Sequence, residues 1–282
     1  MPDDFAAWIG RTETMTDTIT PRQARLMAAT LDYSADATKA VLTAGVLPPL
    51  WHWTAFVPDT PMSQLGPDGH AKRGGFLPPV PLERRMWAGG RLVFHNAALP
   101  LGVPMERHSE ILSITEKEGG SGRLVFVTVA HRISGPNGLA IEEEQDIVYI
   151  AIPDQFSPPP SKPAPTAPTW AEDVPVDAVR LFRYSALTFN GHRIHYDMDY
   201  TREHEKYPGL VVHGPLQATL MLEGARRNAT GQRPARFSFR GMRPLFHFED
   251  LRVTGHADTT GTAVHAVNGD GLVTMQGRVD WA

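Results

Sequence analysis

Apolar positions recur along the chain in two rhythms, and the rhythms alternate. After a polar lead-in with one apolar face (Phe5, Ala6, Trp8, Ile9), Thr20-Pro21 opens a helical stretch in which Ala24, Leu26, Met27 and Leu31 form an approximate stripe. Thr caps helices well, and Pro suits the first helical position. Residues 46–56 are apolar and aromatic around a double Pro. Residues 58–90 lose both rhythms to Gly and Pro and read as a loop. A loop this long in a compact domain tends to be functional or mobile, here as a cover over a site or a cofactor tail. Strand signals follow at residues 91–94, 106–117, 123–133 and 139–152. Gly-rich turns at 119–122 and 135–138 join the last three into an antiparallel meander.

Residues 153–175 are rich in Pro, which favours extended geometry and buries no core, so they read as a linker. The second half then repeats the order of the first. Residues 177–185 form a short lead-in, and a helix is predicted over 215–228 with Arg226 and Arg227 in its last turns, where cations suit the dipole. Strands are predicted at 235–240, 245–256, 262–268 and 272–281, with a hairpin turn at Asn268-Gly269-Asp270-Gly271. Helix then antiparallel strands, twice over, is an α+β order and hints at an internal repeat. The expected division is one unit over 1–152, the linker over 153–175, and a second unit over 176–282.

Composition narrows the function classes. The 282 residues suffice for two modest domains, and 41% hydrophobic with 21% charged residues is ordinary for a soluble globular protein. A net charge of −4 gives no basic field for nucleic acid. The absence of Cys excludes disulfides, thiolate catalysis and Cys-ligated metals. No apolar run approaches the roughly 18 residues of a membrane span, and the acidic N-terminus lacks a secretion-signal pattern, so a cytoplasmic protein is expected. No phosphate-cradling Gly-rich loop is present, and no cofactor is expected.

The chemistry concentrates in residues 187–222, LTFNGHRIHYDMDYTREHEKYPGLVVHGPLQATLML. His192, His195, His204 and His213 lie among acids and turn residues, and the stretch runs into the apolar helix. The spacing of the four His lacks the tight pair of a helical metal motif, so no metal is expected. Gly214-Pro215 looks like a helix entry. A Gly there lets a substrate approach the backbone, and the free N–H groups of a helix start suit a developing negative charge. A base beside such a donor is what chemistry next to a carbonyl requires. Asn190-Gly191 reads either as a plain turn or as a holder of water. Arg240 and Arg243, on strands after the helix, read as surface or as partners for carboxylate or phosphate.

From FNGHRIHYD to PGLVVHGPLQATL, the stretch resembles the MaoC-like (R)-specific hydratases and dehydratases. It is nearest to their mesaconyl-CoA hydratase-like and hydroxyacyl-thioester dehydratase-like branch. The resemblance extends weakly over residues 90–150. It implies a double hot-dog fold, with two long central helices each wrapped by a curved antiparallel sheet. It places His195 on the family His, Asn190 on the family's catalytic acid, His192 on the Asn between them, and Gly214 on the amide that binds the thioester carbonyl. His192, His213, Asp197, Arg240 and Arg243 become candidates for the substrate-binding surround. Asn cannot act as a base, so the resemblance leaves proton transfer to His195, with Asn190 fixing the water or hydroxyl. The first half has no counterpart of His195 and is expected to be non-catalytic. The implied activity is reversible hydration of an enoyl-CoA, with coenzyme A as part of the substrate. A short or branched dicarboxylic acyl chain is favoured, and a homo-oligomer is expected. A carrier-protein dehydratase, a hot-dog thioesterase and a non-catalytic acyl-thioester-binding subunit are the alternatives.

Overall fold

The computed structural model describes residues 5–119 and 122–282. The first half runs β1 (Thr12–Asp17), α1 (Pro21–Thr30), α2 (Ala35–Ala44), a 3-10 helix Trp51–Thr54, then β2 (Arg84–Phe94), β3 (Met105–Gly119), β4 (Gly122–Gly135) and β5 (Gly138–Ile150). The second runs β6 (Trp170–Val174), α3 (Ala178–Thr188), α4 (Met198–Glu203), α5 (Gly214–Asn228), then β7 (Pro234–Gly241), β8 (Leu251–Ala257), β9 (Gly261–Asn268) and β10 (Val273–Trp281). Among the described residues the ten strands form one sheet in the order β1-β3-β4-β5-β2-β7-β10-β9-β8-β6. Read from its two edges inward, this is β1-β3-β4-β5-β2 meeting β6-β8-β9-β10-β7. Each half therefore folds to the same plan, and the suspected repeat is a property of the topology. The halves join where β2 and β7 pair antiparallel, Gly90 opposite Phe239.

Local chemistry sets the helix starts. Thr20 accepts from the Gln23 N–H and Gln23 returns a bond to the Thr20 N–H, a reciprocal cap for α1. Asp177 caps α3 through the Arg180 N–H. α5 starts with Gly214 and Pro215, and every residue from Leu216 to Ala225 is buried. It packs on β2, β7, β8, β9 and β10. Glu223, buried in α5, accepts from Tyr33 Oη and Trp51 Nε1, which ties the second half's helix to the first half.

Several elements differ from the sequence reading, each for a physical reason. The first half carries two short helices and a 3-10 turn instead of one long helix, because Asp32 (φ +63) breaks the run after α1. Residues 170–174, read from composition as linker, form the edge strand β6 against β8. β2 begins at Arg84 rather than residue 91, since the buried side chain of Arg84 is paired and so hides the strand's apolar face. Residues 245–247 leave the predicted strand because their backbone pairs with Val212 and Leu210 on the approach to α5. Of the turn at 119–122, Gly120 and Ser121 lie outside the described residues. No helix among the described residues is long and apolar enough to cross a membrane.

Candidate active site

α3 ends at Phe189 in a left-handed conformation (φ +47), which throws the chain into the Asn190–Gly191 turn. Asn190 Oδ1 accepts from the His192 N–H at 3.0 Å, so the side chain closes its own turn. A 3-10 helix, Arg193–His195, then presents His195 to an open cavity of about 2110 Å³. Gly214, Gln217, Trp87, Trp53 and Arg243 line the same cavity.

His195 is buried, and its Nδ1–H donates to the Val211 carbonyl at 2.7 Å. That bond fixes the tautomer and leaves the Nε2 lone pair available. Burial holds its pKa well below the ordinary imidazole value, and the neighbouring His213 and His192 rings push it further down. The imidazole is thus held as a neutral ring. It becomes a useful base when negative charge develops beside it. The His213 ring stacks on His195 at 3.6 Å. Its Nε2 meets Ser185 Oγ at 2.8 Å and its buried Nδ1 has no partner. An empty acceptor costs less than an orphaned N–H, so we assign Nε2 as the donor. Burial brings the His213 pKa down to about 3.

Gly214 occupies the first turn of α5, where no intrahelical carbonyl can take its N–H. A Cβ there would meet the Trp87 carbonyl oxygen at 3.6 Å and Met275 Cε at 3.7 Å, ordinary contacts. Packing alone therefore does not require glycine at 214, which lines the cavity.

The loop between the 3-10 helix Trp51–Thr54 and β2 closes over this turn. The Arg193 N–H donates to the Asp68 carbonyl at 2.9 Å, and Gly69 crosses Gly191 backbone to backbone. The crossing brings His70 onto His192, ring centroids 4.3 Å apart, and His192 lies 5.5 Å from His195. His70, His192, His195 and His213 form a continuous row. Asp68 accepts from His70 Nδ1 at 2.9 Å at one end. Behind His192, buried Glu205 stands 3.8 Å from Nε2 and is held by Arg84 Nε at 2.7 Å. Burial works to raise the Glu205 pKa, but the nearby His192 ring and the Arg84 guanidinium together bring it below the usual carboxylate value. Asp68, His70 and His192 also present ligand atoms within 4.8 Å of one another, the one set among the described residues able to hold a metal ion.

Of the residues singled out from the sequence, His195, Asn190, Gly214, His192, Arg240 and Arg243 line the cavity. Asp197 does not: it caps α4 through the Tyr200 N–H and pairs with Arg193, which satisfies both its oxygens. His213 stands behind the cavity wall as the support of His195. His204 stacks on Tyr200, exposed on α4. The sequence reading missed Asp68, His70, Arg84 and Glu205. His70 lies in the loop already suspected of covering a site, and Asp-Gly-His between turn residues was its only signal.

The chain matches the family model of hydroxyacyl-thioester dehydratase type 2 over residues 50–247. The chain belongs to this family. Mesaconyl-C(4)-CoA hydratase of Chloroflexus aurantiacus is 46% identical to this chain over 98% of both chains. The mitochondrial hydroxyacyl-thioester dehydratase type 2 of Schizosaccharomyces pombe is 31% identical over 73% of this chain and 77% of its own. A MaoC-like dehydratase from Phytophthora capsici superposes with a TM-score of 0.72 at 14% identity, over 97% and 95% of the two chains. A Mycobacterium tuberculosis protein described as having a double hotdog fold gives 0.59 at 14% identity, over 97% and 96%. These structures establish that the chain has the double hot-dog fold.

Proposed function

We propose that the protein reversibly hydrates an enoyl-CoA, with a short dicarboxylic acyl group of the mesaconyl or itaconyl kind as its substrate class. The observation that carries this is one cavity lined by both the fixed imidazole of His195 and the helix-start amide of Gly214. The thioester carbonyl accepts from the Gly214 N–H, which draws electrons from the double bond and stabilises the enolate. Water adds to the β carbon as His195 Nε2 takes its proton. That proton then passes to the α carbon, so one molecule of water is added and His195 is restored.

Arg243 suits the distal carboxylate. Its backbone N–H donates to Thr274, whose hydroxyl donates to Gln217 Oε1, one helical turn from Gly214. Its Nε is buried with no partner among the described residues. Arg240, exposed at the cavity edge, suits the coenzyme's phosphates. The 46% identity to a protein named for mesaconyl-C(4)-CoA supports this acyl class. No step needs a metal, so chelator-treated protein should keep its turnover.

The test is a panel of enoyl-CoAs of varied length and branching, followed by loss of the conjugated double bond. Carrier-protein thioesters and a saturated acyl-CoA with a thiol reagent complete it. Fastest turnover on a branched dicarboxylic enoyl-CoA is expected. Thiol release from the saturated ester, or tight binding with no hydration, would refute the proposal. A cytoplasmic homo-oligomer belongs to the same reading, and the mass in solution checks the assembly.

A further inference from the structure

Asn190 stands where the family motif has an acid, and one lone pair of its side-chain oxygen is taken by the His192 N–H. It cannot take a proton, and its side chain is partly committed to its own turn. The long loop supplies an alternative. Asp68 Oδ1 accepts the backbone N–H of His70 at 3.1 Å, and Oδ2 accepts the ring Nδ1–H at 2.9 Å. His70 lines the cavity and Asp68 does not, so the carboxylate holds the imidazole from behind. With Nδ1 fixed as donor, Nε2 carries the lone pair. His195 has the same arrangement, held from behind by the Val211 carbonyl. Two imidazoles on one cavity are therefore locked in the same tautomer, with His192 between them. The loop that brings His70 is itself tied to the catalytic turn: the Asp68 and Pro67 carbonyls accept from Arg193, and Gly69 crosses Gly191.

We propose that the Asp68–His70 pair holds and orients the water that adds to the substrate. His70 Nε2 accepts a hydrogen bond from one O–H of that water, and His195 removes the proton of the other. As the oxygen bonds to the β carbon, the O–H bond facing His195 breaks, and the double-bond electrons move toward the thioester carbonyl. The α carbon then takes the proton from His195. The hydrogen facing His70 stays on oxygen as that of the new hydroxyl group. Asp68 keeps the His70 ring in register and its Nε2 electron-rich. His70 thus performs the water-holding task that the sequence pattern gave to residue 190. This rests on the hydratase reading above.

Four variants and the wild type test it on the best enoyl-CoA of the panel. His70→Ala should lose roughly 10²-fold in kcat, the usual cost of a misplaced reactant, with KM nearly unchanged. Added imidazole should restore part of that loss. Asp68→Asn should lose about 10-fold, since a neutral partner holds the ring less firmly. His195→Ala should be the most damaged, and His204→Ala, exposed and outside the cavity, should match the wild type. Thermal melts confirm that each variant is folded. Full activity of His70→Ala and Asp68→Asn beside a dead His195→Ala overturns this inference alone. So does a His70→Ala loss that is confined to KM or that imidazole does not rescue, because His70 would then only seat the loop. A wild type that hydrates nothing in the panel removes both this inference and the reading beneath it.

Discussion

Gly214→Ala separates the chemistry of the helix start from its architecture. An added Cβ meets only the Trp87 carbonyl oxygen at 3.6 Å and Met275 Cε at 3.7 Å. Neither contact demands movement, and the backbone at 214 is not in a left-handed conformation. Alanine is about 1 kcal/mol better than glycine inside a helix, and some fraction of that should appear at this first position. Stability should therefore hold or rise slightly. The methyl group instead crowds the cavity wall beside the amide proposed to hold the thioester oxygen. Losing one such donor typically costs about 10²–10³ in kcat, or about 2.7–4 kcal/mol of transition-state stabilisation. The assay pairs thermal melting with loss of the conjugated enoyl absorbance. A variant that melts at or above the wild type and has lost roughly two orders of magnitude in kcat supports the assignment. A stable variant with wild-type turnover refutes it, because the carbonyl would then be held elsewhere.

Three other perturbations probe the surround. Gly69→Ala places a Cβ 1.9 Å from the Gly191 carbonyl oxygen at a φ of +89, so the loop must lift from the Asn190–Gly191 turn; lower activity and faster proteolysis near residue 69 are expected, and unchanged cleavage would contradict the crossing. Glu205→Gln leaves the buried Arg84 charge without its carboxylate, and urea unfolding should show a loss of about 3–5 kcal/mol, the usual cost of breaking a buried pair; a loss below about 1 kcal/mol would mean that Arg84 finds water. The His213 ring, fully buried, titrates near 3, whereas an unfolded His titrates near 6.5. Its folded value is depressed, so its stabilisation is complete above about pH 6.5 and fades as pH falls toward 3, by up to about 1.4 kcal/mol per unit. Melts from about pH 7 down to 5 should show that fall, and His213→Asn should show a shallower one; equal slopes would remove His213 from the acid sensitivity.

Much of this protein is written in short-range patterns. Strand-favouring runs between Gly-rich turns marked β3, β4 and β5, and Thr20-Pro21 and Gly214-Pro215 marked helix starts, because propensity, turn and cap chemistry act within a few residues. The motif from Asn190 to Gly214 was legible for the same reason: one turn and one helix start carry it. The site's other members come from far away in the chain. His70 reaches His192 only because two glycines, at 69 and 191, let backbones cross. Arg84 reads as a surface charge until the fold buries it against Glu205, 121 residues on. Asp197 looked like a ligand and became a helix cap, because Arg193 and the Tyr200 N–H lay nearer than the cavity. Edge strand β6 was hidden under Pro-rich composition, since its pairing with β8 is non-local. The sequence by itself marked most strands, two helix starts, the repeat and the candidate site stretch. The tertiary structure decided which charges are buried and which imidazoles face one void, because burial and long-range pairing depend on what the rest of the chain places alongside.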